Sequence, residues 1–422
     1  MVSLESHFAQ PIQPPELPAS EKATKAIPPV TSNPSEPPEP VPTAPTNERD
    51  FSEPLPEQGR AQQEVPLFEP DNEVRGGAAV FESLAIRNDA SGYLQKHFKD
   101  IYKQGKTHRA ENIAKMAERL GVPQDKLEPM MTWLLDKNIV FGLAAEIGNA
   151  ELFFRRLGFE GAQKAVQRFQ QIQAGQNTRL SQNESTFLMR SLIRDIGAPG
   201  MIGQGGKGTC AAASIQALTA NMHPQKYLDM TLALAEGKTF TLPDGKQLNP
   251  NDNWRLPGED RQMSEAIVQN ALMDLMLGAG KYKSHLDTGA DQASPRVGQQ
   301  SSAIDRLYGN QLDYTHKNVP MIWPLNRFAQ NTSLEQIEDD LSRGRGLVVN
   351  IWGHAMALVG MDKSGPEPKV IIQTYGAQIE MPVSEFKPYL MNVVYVDDPG
   401  EDNRQLKSGE RKHIGMDLAR LP

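Results

Sequence analysis

The 422-residue sequence predicts an α+β protein, and three observations carry that expectation. Over residues 78–196 apolar residues recur at spacings of three and four, the period of amphipathic helices. Over 346–376 two runs rich in β-branched residues flank a Gly/Pro-rich turn, the pattern of a hairpin. Between these regions a glycine-rich loop runs straight into one more apolar-periodic stretch, 211–222.

Taken in order, the chain opens on an arm. Half of its 32 prolines fall within the first 70 residues, among Ser, Thr, Glu and Gln with few aromatics. Such a stretch buries no core, so residues 1–76 are expected to be disordered. An all-helical module is expected over 77–196, with helices at 90–103, 110–120, 124–136, 150–157, 161–172 and 184–195. Gly121-Val-Pro123 reads as a helix stop followed by a helix start. The catalytic domain is assigned to 197–398. Within it, helices are expected at 263–277 and 334–342, the second with Ser333 and Gln336 as a capping box. After Val396 the chain turns polar and charged, and 399–422 is read as a flexible tail. No internal repeat is visible.

The chemistry centres on Cys210, the only cysteine. It ends Gln204-Gly-Gly-Lys-Gly-Thr-Cys210, where the glycines permit tight turns and close approach of another chain. Ile215, Leu218 and Met222 mark the buried face of the helix that follows, which is expected to stop near Asn221 and Pro224. Cys210 then lies in the first turn, where unpaired N–H groups and the helix dipole favour a thiolate. A base must come from among eight histidines. His223 lies roughly 20 Å along or beyond the same helix at about 1.5 Å per residue. His7, His97, His108 and His413 fall in the arm, the module or the tail, and His285 and His316 in polar, irregular sequence. His354 remains. It stands in Gly346-Leu-Val-Val-Asn-Ile-Trp-Gly-His-Ala-Met-Ala-Leu-Val-Gly-Met361, whose only strongly polar members are Asn350 and His354, and polar groups there need partners. The next strand, Lys369-Val-Ile-Ile-Gln-Thr-Tyr-Gly376, offers Gln373 to fix the imidazole tautomer. Asp362, Asp397 and Asp398 are spare candidates for that role.

These residues resemble the papain-like cysteine peptidases. The family's glutamine stands six residues before its cysteine, as Gln204 does before Cys210. Its histidine enters on a strand far downstream, matching His354, and Gln373-Thr374-Tyr375-Gly376 is similar to the family's Asn-Ser-Trp-Gly. The match covers about an eighth of the chain, chiefly 203–222 and 346–376. It departs in Gln373 for Asn, in Ala211 where an aromatic residue is common, and in the missing disulfides. The resemblance implies a papain-like domain in which a helix carrying the cysteine packs on an antiparallel sheet carrying the histidine. It implies amide chemistry on a protein or peptide substrate, with Cys210 as nucleophile, His354 as base, Gln204 with the Cys210 N–H as the oxyanion hole, and Gln373 as orienting group. The thioester's fate is left open between peptide hydrolysis, glutamine deamidation and transamidation. A papain-like binding protein without turnover is the alternative of a different class.

Composition narrows the rest. A net charge of −8 argues against a nucleic-acid partner. One cysteine excludes an internal disulfide, and the first 20 residues lack the basic and apolar regions of a signal peptide. The expected setting is a reducing compartment, cytoplasmic or reached by export without a cleaved leader. The longest apolar run is too short to span a bilayer, so no membrane association is expected. No HExxH, EF-hand or Cys/His cluster occurs, so neither a metal nor a cofactor is expected. Gly203-x-Gly205-x-x-Gly208 spells a dinucleotide fingerprint with Asp229 beyond it, but the preceding residues read as a loop where that motif requires a strand. Trp254, Arg255 and Trp323 are candidates to line a cleft. The arm and the module are candidate docking elements.

Overall fold

Helices form in the stretches the apolar spacing marks: α1 (Ala90–Phe98), which ends short of the expected 103, α2 (Arg109–Leu120), α3 (Gln124–Asp136), α4 (Ala144–Gln173) and α5 (Gln182–Gly197). The computed structural model describes residues 90–176, 179–256, 259–289, 295–308, 314–318, 325–343, 345–351 and 353–396. The chain divides after Gly59, and every described residue belongs to the unit that begins at Arg60. The arm, the tail, His7, His413, Trp323, Asp397 and Asp398 lie outside the described residues.

Local signals account for most helix ends. Gly121 closes α2 at φ 66°, and the Val122 N–H reaches back to the Ala117 carbonyl at 3.0 Å. At the start of α5 the Ser181 hydroxyl accepts from the Glu184 N–H while the Glu184 carboxylate accepts from the Ser181 N–H, a full capping box. The two helices expected at 150–157 and 161–172 are the two halves of α4: the backbone leaves helical geometry at Gly158 (φ 69°, ψ 158°), which kinks the element where the sequence places the break. α5 runs on to Gly197, and a single 3₁₀ turn, Pro199–Met201, leads into the glycine loop.

Past the loop come α6 (Cys210–Met222), α7 (Pro224–Ala235), a small hairpin of β1 (Phe240–Thr241) and β2 (Gln247–Leu248), α8 (Met263–Leu277) and α9 (Val297–Tyr308). The main sheet consists of β3 (Tyr314–Asn318), β4 (Leu347–Ile351), β5 (His354–Asp362), β6 (Lys369–Thr374), β7 (Ala377–Pro382) and β8 (Asn392–Val396). α10 (Leu325–Ser342) precedes β4. It runs through Ser333, so the expected capping box is not formed; Ser333 is buried mid-helix and Gln336 donates to Asp340 instead. No glycine or proline between Leu325 and Ser342 marks a start at Ser333.

The sheet order is β3-β8-β4-β5-β6-β7, and every neighbouring pair is antiparallel. The apolar run expected as a single strand folds back at Gly353, φ 73°, so that Ile351 pairs with His354. Strand alternation then sorts the side chains by face. Val348, Ala355, Ala357, Val359 and Ile371 join the buried cluster that also holds Leu188 and Leu192 of α5, Ile215 and Leu218 of α6, and Ile267 and Leu272 of α8. Leu347, Val349, Ile351, Met356, Leu358 and Ile372 form a second cluster with Ile337 of α10. The helices before residue 197 thus share one core with the elements that carry Cys210 and His354. Among the described residues, no helix is long and apolar enough to cross a membrane.

Candidate active site

Cys210 is the first residue of α6, as its place after the glycine loop predicts. The preceding Thr209 does not cap the helix, because its hydroxyl donates to the Gln269 carbonyl oxygen at 2.6 Å. The first-turn donors are left for the sulfur. The backbone N–H groups of Cys210 and Ala211 face it, together with the N–H of Ala355 from the start of β5. A helix start and a strand start 144 residues apart in sequence therefore meet at one atom.

Three carboxylates shape the loop before it. Glu265 accepts from the Gly203 N–H at 3.0 Å, Asp260 from Gly206 at 2.7 Å, and both oxygens of Asp287 from Gly208 at 3.0 Å. A Cβ at Gly205, where φ is +56°, would sit 2.6 Å from an Asp260 oxygen, so any other residue there is strained and must displace the Asp260 carboxylate. With those three N–H groups taken by anions, and a helix with a 3₁₀ turn before the glycines, the loop is not built to cradle a phosphate. Asp229 lies elsewhere, on α7, bonded to Gln225.

A buried polar network supports the loop from below. The Gln269 amide donates to the Gly203 carbonyl (2.7 Å) and to Gln216 (2.9 Å), and Gln216 donates to the Tyr227 hydroxyl (2.7 Å). Tyr227 and Ser264 both donate to Asp195, at 2.7 and 2.5 Å. Arg194 bridges Asp195 and Glu265. Burial opposes its charge, yet the two carboxylates outweigh burial and hold the guanidinium firmly protonated. Every member has a partner, so the network rigidifies the floor of the site.

His354 is 4% exposed. Its Nε2 lies 2.6 Å from the Thr374 hydroxyl, and its ring stacks on Tyr375 with centroids 4.1 Å apart and planes 5° from parallel. Tyr375 and Gly376 are the two central residues of the β6–β7 turn, both at positive φ (49° and 73°), as a type I′ hairpin requires. A tyrosine in the left-handed region is strained by about 1 kcal/mol or more, and here it places a ring over His354. Among the described residues, no hydrogen bond joins the imidazole to Cys210.

Electrostatics reverse the thiolate expectation. Cys210 as a residue is only half-buried; the burial around its sulfur pushes the thiol up, against the pull of the Ala355, Ala211 and Cys210 N–H groups, and the nearby Asp287 charge adds to the rise. Burial drives the His354 imidazole down, to about 3. Both groups are neutral at pH 7, so the resting site holds a thiol and an imidazole rather than an ion pair.

The remaining sequence candidates are placed as follows. Gln373 pairs with Ala357 in register, and the pleat puts it on the opposite face from Thr374, so it does not bond to His354. Its Nε2 reaches only Gln378, at 3.4 Å, and its buried Oε1 has no partner. Thr374, one residue on, holds the imidazole instead. Gln204 is half-buried, with one amide N–H on the Lys207 carbonyl at 2.9 Å. Asp362 sits at the far end of β5 from His354, accepting from Ser364. Asn350, the other polar residue of its run, exchanges bonds with Gln300 of α9. Trp254 is buried beneath the Arg255 guanidinium, 4.2 Å from its ring. Asp287, Thr374 and the Ala355 N–H were not singled out from sequence. Only the turn residues around Asp287, and the position of Thr374 inside the motif at 373–376, hinted at two of them. Among the described residues, no group of three or more His, Cys, Asp or Glu is placed to hold a metal ion. No family model, curated protein or solved structure matches the chain.

Proposed function

We propose that the protein is a thiol hydrolase of papain-like type acting on amide bonds of a protein or peptide substrate. The observation that carries this reading is the convergence at Cys210. A cysteine at an uncapped helix start receives the N–H of Ala355, the residue after His354, from the start of an antiparallel strand. Because the resting pair is neutral, proton transfer accompanies attack: His354 takes the thiol proton as the sulfur closes on the carbonyl carbon, then returns it to the leaving amine. The first-turn N–H groups that face the sulfur are placed to receive the oxyanion, with the second amide N–H of Gln204 as a further donor. Thr374 and Tyr375 hold the ring.

A second reading, a papain-like binding protein without turnover, is favoured by one observation: the Cys210 sulfur and the imidazole share no hydrogen bond, and each is stabilised in its neutral form. Incubating wild type and Cys210→Ala with a cell lysate separates the readings. New protein N-termini formed by wild type alone support peptide hydrolysis, and Gln-to-Glu mass shifts or new amine crosslinks would redirect the thioester to deamidation or transamidation. Identical lysates from the two proteins would overturn the enzymatic reading.

A further inference from the structure

Asp287 follows a 3₁₀ turn, Ser284–Leu286, and is only 3% exposed. Its carboxylate accepts from the Gly208 N–H through both oxygens, from the Tyr282 hydroxyl at 2.7 Å and from the Gly289 N–H at 2.8 Å. Its backbone carbonyl accepts from the Lys207 ammonium at 3.2 Å. Two successive residues of the glycine loop are thus gripped by one residue, directly before the Thr209–Cys210 pair that opens α6. The approach is close: a Cβ on Gly289, at φ +86°, would stand 2.9 Å from the Gly206 carbonyl oxygen, and one on Gly208 would stand 3.4 Å from an Asp287 oxygen.

We propose that Asp287 is a positioning residue for Cys210: it fixes the glycine loop at Lys207 through its carbonyl and at Gly208 through its carboxylate, and so sets where the α6 start presents the sulfur. The inference rests on the reading of Cys210 as a nucleophile. A buried anion in this position also does more than tether. Its charge is felt at the sulfur and disfavours the thiolate, which keeps the thiol protonated until a base removes the proton. The other charged or titratable groups around this junction are Lys207, Tyr282, Asp260 at Gly206, Glu265 at Gly203 with its Arg194, the Arg261–Glu259 pair behind Tyr282, and His354, the residue before Ala355.

The test is the pH profile of Cys210 alkylation by iodoacetamide in the full-length protein, which needs no substrate. Asp287→Asn keeps the shape and a Gly208 acceptor but removes the charge. Its midpoint is expected to move to lower pH, with alkylation at pH 7 faster by roughly threefold or more. Tyr282→Phe keeps the anion and strips one hydrogen bond from it, so its midpoint is expected to move the other way. If Asp287→Asn fails to fold, the sign of the Tyr282→Phe shift decides alone. Midpoints equal to that of wild type in the folded variants would overturn the proposal. A shifted profile in a protein that shows no turnover on any lysate component would leave Asp287's role standing and defeat the enzymatic reading instead.

Discussion

His354 should stay uncharged far below the pH at which an ordinary histidine titrates, and its pH linkage can be worked from the structure. Burial lowers its pKa from 6.5 to about 3, so the unfolded chain takes up a proton at this site below about pH 6.5 while the folded chain does not until about pH 3. A depressed histidine contributes stability that is complete above the unfolded value and is lost progressively as the pH falls toward the folded value. At pH 5 the loss is 1.5 pH units at about 1.36 kcal/mol each, or about 2 kcal/mol. Guanidinium unfolding followed by tryptophan fluorescence, run on wild type and His354→Gln at pH 7 and pH 5, isolates this contribution because other titrating groups are common to both. The stability of wild type relative to His354→Gln should fall by about 2 kcal/mol between the two pH values. An imidazole NMR titration supplies the same midpoint directly. A thiolate–imidazolium pair would raise the histidine pKa, and the relative stability of wild type would then grow or hold as the pH fell from 7 to 5. That outcome, or an imidazole midpoint at or above 6.5, would refute the neutral-pair assignment.

The remaining predictions concern the groups around that ring and the loop. Thr374→Val removes the partner of Nε2 and should lower stability by about 1–2 kcal/mol, whereas Thr374→Ser should retain most of it; equal stability in all three proteins would show that the hydroxyl does not hold the ring. Gln373→Leu replaces a buried amide whose carbonyl has no partner, so unfolding experiments should find it neutral or up to about 1 kcal/mol more stable. A Gln373→Leu protein that folds normally yet loses turnover would return the orienting role to Gln373. Gly205→Ala meets both a positive φ and an Asp260 oxygen and should cost about 2 kcal/mol or more, against about 1 kcal/mol for Gly175→Ala, which has positive φ but open space; equal costs would show that the carboxylate does not crowd the loop.

The fold was legible wherever a local rule fixes the outcome. The limits of α3 and α8 follow the apolar period to the residue, and Gly121 stops α2 for the reason its sequence suggests. Local rules failed where the ladder decides. The run holding His354 looks like one strand, and nothing in its apolar character announces that Gly353 turns it back so that Ile351 faces His354. That turn also sets which residues share a pleat face, and hence that Thr374 rather than Gln373 reaches the imidazole. A hairpin register is a pairing between strands, and a shift of one residue exchanges the two faces.

The positions of Cys210 and His354 were legible, while their charge states were not, and magnitudes explain the difference. A helix start favours an anion by about 0.3–1 kcal/mol at an exposed terminus and up to about 2 kcal/mol when partly buried. Withdrawing a charge from water costs several kcal/mol even after the surroundings relax. Three N–H groups aimed at the sulfur therefore reduce the rise in the thiol pKa without reversing it. The sequence did contain the opposing signal. Ala211 and Ala212 on α6 share a buried cluster with Ala355 and Ala357 of β5, and side chains this small let helix and sheet close tightly and exclude water. The alanine-rich stretch after Cys210, read for its helical period, equally marks a desolvated junction. In the mechanism proposed above, substrate binding at such a junction would itself supply the polarity that moves the proton: a carbonyl entering opposite the Ala211 and Cys210 N–H groups would build negative charge on its oxygen while His354 gained positive charge. On that proposal the two charges would form together and offset one another, and neither would have to exist beforehand in the site.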